Sequence, residues 1–97
     1  MQNKTEFIRE IESITLEVQQ ELDKRKAGIK GDGNVFQLEL ALDELREVKE
    51  SIINNKRPAK VKRRLQIPWF ITDSWSPGSV LGNHLISIAH RYEEMWK

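Results

Sequence analysis

The sequence predicts an all-α fold, a small helical bundle of three main helices and one short helix. Three observations predict it. Apolar residues recur at spacings of three and four along most of the chain. Glycine, asparagine and proline fall between these periodic stretches. Outside a short segment at 69–72, nothing suggests the alternation of a half-buried strand. The 97 residues, 38% apolar and 32% charged, read as one helical domain over 1–97. That length is near the size at which one hydrophobic core sustains itself.

Residues 4–27 are the first helix. Phe7, Ile11, Ile14, Val18 and Leu22 form one stripe. Asn3 and Glu6 have the spacing of a capping box, and Lys24, Arg25 and Lys26 suit the negative end of the helix dipole. The stretch AGIKGDGN (27–34) stops it. Its glycines, Asp32 and Asn34 make a turn, with Asn34 placed to cap the next helix. It lacks the Gly-Lys-Ser/Thr ending of a phosphate loop and the closing glutamate of a calcium loop.

The second helix covers 35–54, with a core stripe of Leu38, Ala41, Leu42, Leu45, Val48 and Ile52. A short loop makes the two long helices antiparallel neighbours. Pro58 suits the first turn of a short helix reaching about Leu65, and Pro68 then interrupts it, biasing Ile67 toward an extended backbone. An aromatic connection follows, from Pro68 to Ser76. Ser76-Pro77 reads as hydroxyl cap and first-turn proline of the last helix, whose apolar face is Leu81, Leu85, Ile88, Tyr92 and Met95.

The chain has no cysteine, hence no disulfide framework, thiol nucleophile or thiolate metal site. No apolar run is long enough to span a bilayer, and the first ten residues lack a secretory apolar segment. The expectation is a cytoplasmic protein with no membrane partner. No catalytic constellation assembles either. His84 and His90 are six residues apart, about 120° around a helix, which is poor geometry for a shared metal. His90 is expected in solvent and His84 partly buried in a structural role. No serine elbow, HExxH or Walker pattern occurs. No enzyme activity, cofactor or metal is expected.

Charge is divided unevenly. Residues 1–55 hold eight Lys/Arg against twelve Asp/Glu, and residues 56–97 hold eight against three. Six cations, Lys56, Arg57, Lys60, Lys62, Arg63 and Arg64, precede Trp69, Phe70 and Trp75. Cations beside aromatics suit single-stranded nucleic acid, so a small nucleic-acid-binding regulator using 56–75 is the alternative reading. A near-neutral chain lacks the domain-wide positive bias of a strong binder, which makes nucleic acid the less favoured partner.

The second helix carries a sharper feature. Glu39, Asp43, Glu47 and Glu50 line a face away from its core stripe, with Phe36 and Leu40 beside them. Like charges four apart do not help an isolated helix. An apolar pair beside a line of carboxylates suits docking to a basic partner and would repel a phosphate backbone. Two internal explanations compete. Phe36 and Leu40 are covered by the 69–75 connection, or the carboxylates face the basic 56–64 segment of the same molecule.

The phrase QLELALDELREVKESI (37–52), the basic linker, the phrase RRLQI (63–67) and a last helix opening near Ser76 carry a resemblance over roughly 36–95. Together they resemble the small all-helical immunity proteins that protect bacteria from toxins delivered between cells. The nearest likeness is to the immunity partners of type VI secretion effectors that hydrolyse NAD(P)⁺. That family tends to continue the Leu-x-Ile phrase with glycine, alanine and a basic–acidic pair. This chain has Pro68-Trp69-Phe70-Ile71-Thr72-Asp73-Ser74-Trp75 there. The resemblance implies a non-enzymatic inhibitor that occludes the active cleft of a cognate toxin protein. Phe36, Glu39, Leu40, Asp43, Glu47, Glu50, Trp69, Asp73 and Trp75 would form the partner-binding set. A second copy of the chain stays open as a further partner.

Overall fold

A computed structural model describes residues 4–57 and 65–96. Among the described residues the chain is all-helical, in four helices: α1 (Lys4–Lys26), α2 (Val35–Ile53), α3 (Ile67–Ser74) and α4 (Val80–Met95). None is long and apolar enough to cross a membrane. The expected cap at Asn3 and the expected short helix at 58–65, apart from Leu65, lie outside the described residues. The short helix that the structure does show is α3.

α1 ends as its sequence requires. Gly28 takes φ +84°, the Gly28 N–H donates to the Arg25 carbonyl (3.1 Å) and the Ile29 N–H to the Lys24 carbonyl (2.9 Å). These are the two bonds of a Schellman motif, which needs a left-handed residue at this position. α2 begins with a complete capping box. Asn34 Oδ1 accepts from the Gln37 N–H (2.8 Å), and Gln37 Oε1 accepts from the Asn34 N–H (3.1 Å).

The two long helices run antiparallel. Lys4 Nζ meets Asn55 Oδ1 at one end (2.9 Å), Lys49 Nζ meets Glu12 further along (2.9 Å), and Arg25 Nε donates to the Gly33 carbonyl at the turn (3.0 Å). Phe7, Ile11, Ile14, Val18 and Leu22 of α1 are all buried, and so are Leu38, Ala41, Leu45, Val48 and Ile52 of α2. Burying a large aliphatic or aromatic side chain stabilises by about 1.5–3 kcal/mol, so these stripes supply much of the core. α4 closes it with Leu85, Ile88, Ala89 and Tyr92. It is tied to α1 by Arg91, which pairs with Glu10 (2.8 and 3.1 Å) and lies 5.1 Å from the Phe7 ring centroid.

Two sequence expectations are corrected here. Ile67, expected in an extended backbone, opens a helix, and the aromatic connection after it, whose conformation the sequence leaves open, is helical through Ser74. Proline breaks a helix interior, but Pro68 stands in the first turn of α3, where an N–H would have no intrahelical partner anyway. α4 opens at Val80 with Ser79 as its cap, the Ser79 Oγ accepting from the Gly82 N–H (3.0 Å). Ser76 is occupied elsewhere. Its N–H and hydroxyl both donate to Asp32 Oδ1 (3.1 and 2.9 Å), binding the α3–α4 turn to the glycine-rich loop.

Candidate partner-binding surface

α3 lies antiparallel along the first half of α2, and two side chains of α2 fix it there. At one end Gln37 donates to Ser74 Oγ (3.0 Å) and accepts from Trp75 Nε1 (3.1 Å). At the other, the Glu44 carboxylate accepts from the Gln66 N–H (3.0 and 2.8 Å) and from the Ile67 N–H (2.9 Å). Gln66, the N-cap of α3, makes no side-chain capping bond. Glu44 therefore supplies from another helix the acceptor that a cap residue would normally provide.

Glu44 is buried. Burial raises its pKa above the ordinary glutamate value. The hydrogen bonds from Gln66 and Ile67 pull the other way, and the neighbouring charge of Glu47 adds to the rise. The sequence reading passed over this residue. Its signal was positional: Glu44 stands three residues after Ala41 and four before Val48, both on the buried face.

Trp75 also has a role different from the one expected. It is 6% exposed and packs in the core, so it is corrected from a partner contact to a core residue. Its indole ring sits so close to the glycine-rich loop that a Cβ on Gly33 would lie 2.6 Å from Trp75 Cζ2. A Cβ on Gly82 of α4 would meet the other edge of the ring at 3.1 Å. Gly33 also takes φ +86°. The loop thus has a packing role beyond that of a hairpin turn: it makes room for Trp75. Arg25 secures the same loop, donating to the carbonyls of Gly33 and Asp32 (3.0 and 2.8 Å) and pairing with Glu21 (2.7 Å).

The remaining residues of the expected binding set divide into two patches. On the outward face of α2, Phe36 is 74% exposed and Leu40 is half-buried outside the core cluster. The 69–75 segment therefore does not cover Phe36. Glu39, Asp43, Glu47 and Glu50 are exposed on the same face. Asp43 pairs with Arg46 (2.8 Å), both well exposed, a contact that contributes well under 1 kcal/mol. Glu39, Glu47 and Glu50 form no ion pair among the described residues. Lys56 and Arg57 share a cleft of about 310 Å³ with Glu47 and Glu50, but the Arg57 guanidinium donates to the Trp96 carbonyl (2.7 Å). Internal pairing with Lys60, Lys62, Arg63 and Arg64 falls outside the described residues.

Trp69, also 74% exposed, belongs to the second patch. It stands in the first turn of α3, at the end held by Glu44. Phe36 adjoins Gln37, at the end held through Ser74, about 10 Å further along the helix axis. Trp69 lines a groove of about 320 Å³ against α4, with Pro68, Ile86, His90 and Glu93. Asp73 is exposed on α3. His90 is exposed as expected. His84 is exposed as well, against the expectation of partial burial.

Compared with protein-family models, with curated proteins and with solved structures, the chain matches none.

Proposed function

We propose that this chain is a non-enzymatic, cytoplasmic immunity protein that binds a cognate toxin domain and occludes its active cleft. The outward face of α2 is its docking surface. One observation carries the reading: Phe36 is 74% exposed, and on the same face of α2 Glu39, one turn away, and Glu47 and Glu50, further along, form no ion pair among the described residues. A free aromatic side chain has apolar area to bury, and the row of carboxylates beside it favours a basic target.

The division of labour follows from physical chemistry. The carboxylates steer a basic cleft into place and oppose wrong partners. Phe36 and the exposed edge of Leu40 supply contact area. An aromatic side chain buries roughly 150–250 Å², so at about 25 cal/mol per Å² Phe36 contributes up to about 4–6 kcal/mol before ordering costs. A toxin acting on NAD(P)⁺ or nucleic acid has a basic cleft of the required sign. Occlusion needs no chemistry from the inhibitor.

The test is a pull-down with tagged protein from source cells, followed by a nuclease wash and identification of what stays bound. A stoichiometric toxin-domain protein is expected. It should be lost with Phe36→Ala and with the triple reversal Glu39→Lys, Asp43→Lys, Glu47→Lys. The alternative, a nucleic-acid regulator, would use exposed Trp69 and the basic segment at 56–64. Recovery of nuclease-sensitive partners alone, unaffected by the triple reversal, would overturn the immunity reading in favour of that one.

A further inference from the structure

Among the described residues, α3 and α4 cover the α1–α2 hairpin on one side only. Its outer side carries an open groove of about 550 Å³, the largest volume among the clefts described in this molecule. Leu42 and Leu45 line it, and Leu16 rises from its α1 wall at 66% exposure. Glu12 on the α1 wall meets Lys49 on the α2 wall across it (2.9 Å).

The levels of this groove repeat in matched pairs, because the two helices run antiparallel. Ile8 on α1 stands opposite Ile53 on α2, Glu12 opposite Lys49, and Leu16 opposite the buried Leu45, with half-buried Leu42 about one turn further on. Ile53 is exposed and Ile8 half-buried. From these pairs we propose that the chain forms a two-fold dimer through the outer face of its α1–α2 hairpin, with the symmetry axis parallel to the helices.

A rotation about such an axis keeps each residue at its own height and exchanges the two walls. The α1 of one copy then lies over the α2 of the other. Ile8 meets the second copy's Ile53, Glu12 meets its Lys49, and exposed Leu16 lies against the second copy's α2 wall near half-buried Leu42, since Leu45 is fully buried in its own core. Apolar levels meet apolar levels, and the two Glu12–Lys49 pairs combine into a ring of four alternating charges. An axis perpendicular to the helices would invert the order of the levels and lose this match. Two helices of 23 and 19 residues are about 30 Å long, enough for an interface of roughly 800 Å² per partner. Phe36, Leu40 and Glu47 lie on another flank of α2, so the dimer leaves them open, and the inference does not depend on the toxin reading.

Sedimentation velocity of the full chain over a micromolar concentration series tests the proposal. The wild type is expected to shift from monomer to dimer as concentration rises. Glu12→Lys places four positive charges in the ring and Lys49→Glu four negative ones, so each variant alone should be monomeric across the series. Mixed in equal amounts, the two should re-form a dimer, since each now faces its opposite. Recovery on mixing separates a bond between copies from a purely internal salt bridge, which mixing cannot restore. Circular dichroism of each variant checks that the helices are intact. A wild type that stays monomeric throughout, single variants that still dimerise, or a mixture that stays monomeric would each overturn the proposal.

Discussion

Replacing Glu44 with alanine tests how α3 is held. The substitution removes the acceptor of the Gln66 and Ile67 N–H groups. Gln66 is exposed, so water can take over its N–H at little cost. Ile67 is fully buried, and an orphaned buried N–H costs about 1–3 kcal/mol. Loss of a negative charge at a helix N-terminus adds about 0.3–1 kcal/mol. Relief of the carboxylate's own desolvation works against both. The expected net loss is roughly 1–3 kcal/mol, which lowers the Tm of a domain this size by roughly 5–20 °C.

Thermal melts followed by circular dichroism measure the total, and hydrogen exchange at the Ile67 amide localises it. Glu44→Gln keeps one carbonyl acceptor and should be more stable than Glu44→Ala. The pH dependence has a definite sign. Because burial raises the folded-state pKa of Glu44, the folded state holds the proton more tightly than the unfolded one. Its contribution therefore stabilises as pH falls through the folded pKa towards 4.5, and is lost as pH rises back through it. The stability difference between wild type and Glu44→Gln should move in the wild type's favour over that window. An unchanged Ile67 exchange rate and a Tm within about 2 °C of wild type for Glu44→Ala, against the roughly 4–8 °C expected per kcal/mol, would show that apolar burial of Ile67 and Ile71 alone fixes α3.

Three other substitutions have defined outcomes. Trp75→Ala should cost about 3–5 kcal/mol in urea denaturation, because a core tryptophan leaves a cavity. Gly33→Ala should destabilise by more than about 1 kcal/mol, since its φ is left-handed and its Cβ would strike the Trp75 ring; an unchanged midpoint would show that the ring can move aside. Arg25→Ala should increase protease cutting within 28–33, because the bonds to the Gly33 and Asp32 carbonyls go with it. The same variant bears on pH. The hydrogen bond from Arg25 holds the Glu21 pKa below its ordinary value, so the stabilisation from this pair is present above 4.5 and lost as pH falls through the lowered folded pKa. Acid titration of stability in wild type and Arg25→Ala should differ in that window and converge below it.

The helices whose information is local could be read directly from the sequence. The spacing of Phe7, Ile11, Ile14, Val18 and Leu22 and that of Leu38, Ala41, Leu42, Leu45, Val48 and Ile52 predict the buried faces of α1 and α2, with only Leu42 left half-buried at the edge, because helical period alone decides which residues share a face. Asn34 and Gln37 cap α2 through bonds within three residues of each other. The exposed face with Phe36, Glu39, Asp43, Glu47 and Glu50 follows from the same period.

What the sequence could not settle depended on groups distant along the chain. Pro68 reads as a helix breaker until Glu44, 23 residues before Ile67, accepts the first N–H groups of α3. Ser76 reads as a cap until Asp32 takes its N–H and its hydroxyl, leaving that role to Ser79. Trp69 and Trp75 look equivalent in sequence. One is in the core and the other in solvent because only Trp75 finds a space left by Gly33 and Gly82 and an acceptor in Gln37. Period and capping act over a few residues and can be read from a single chain. The partner of a buried polar group, and the space for a ring, exist only once distant helices have packed together.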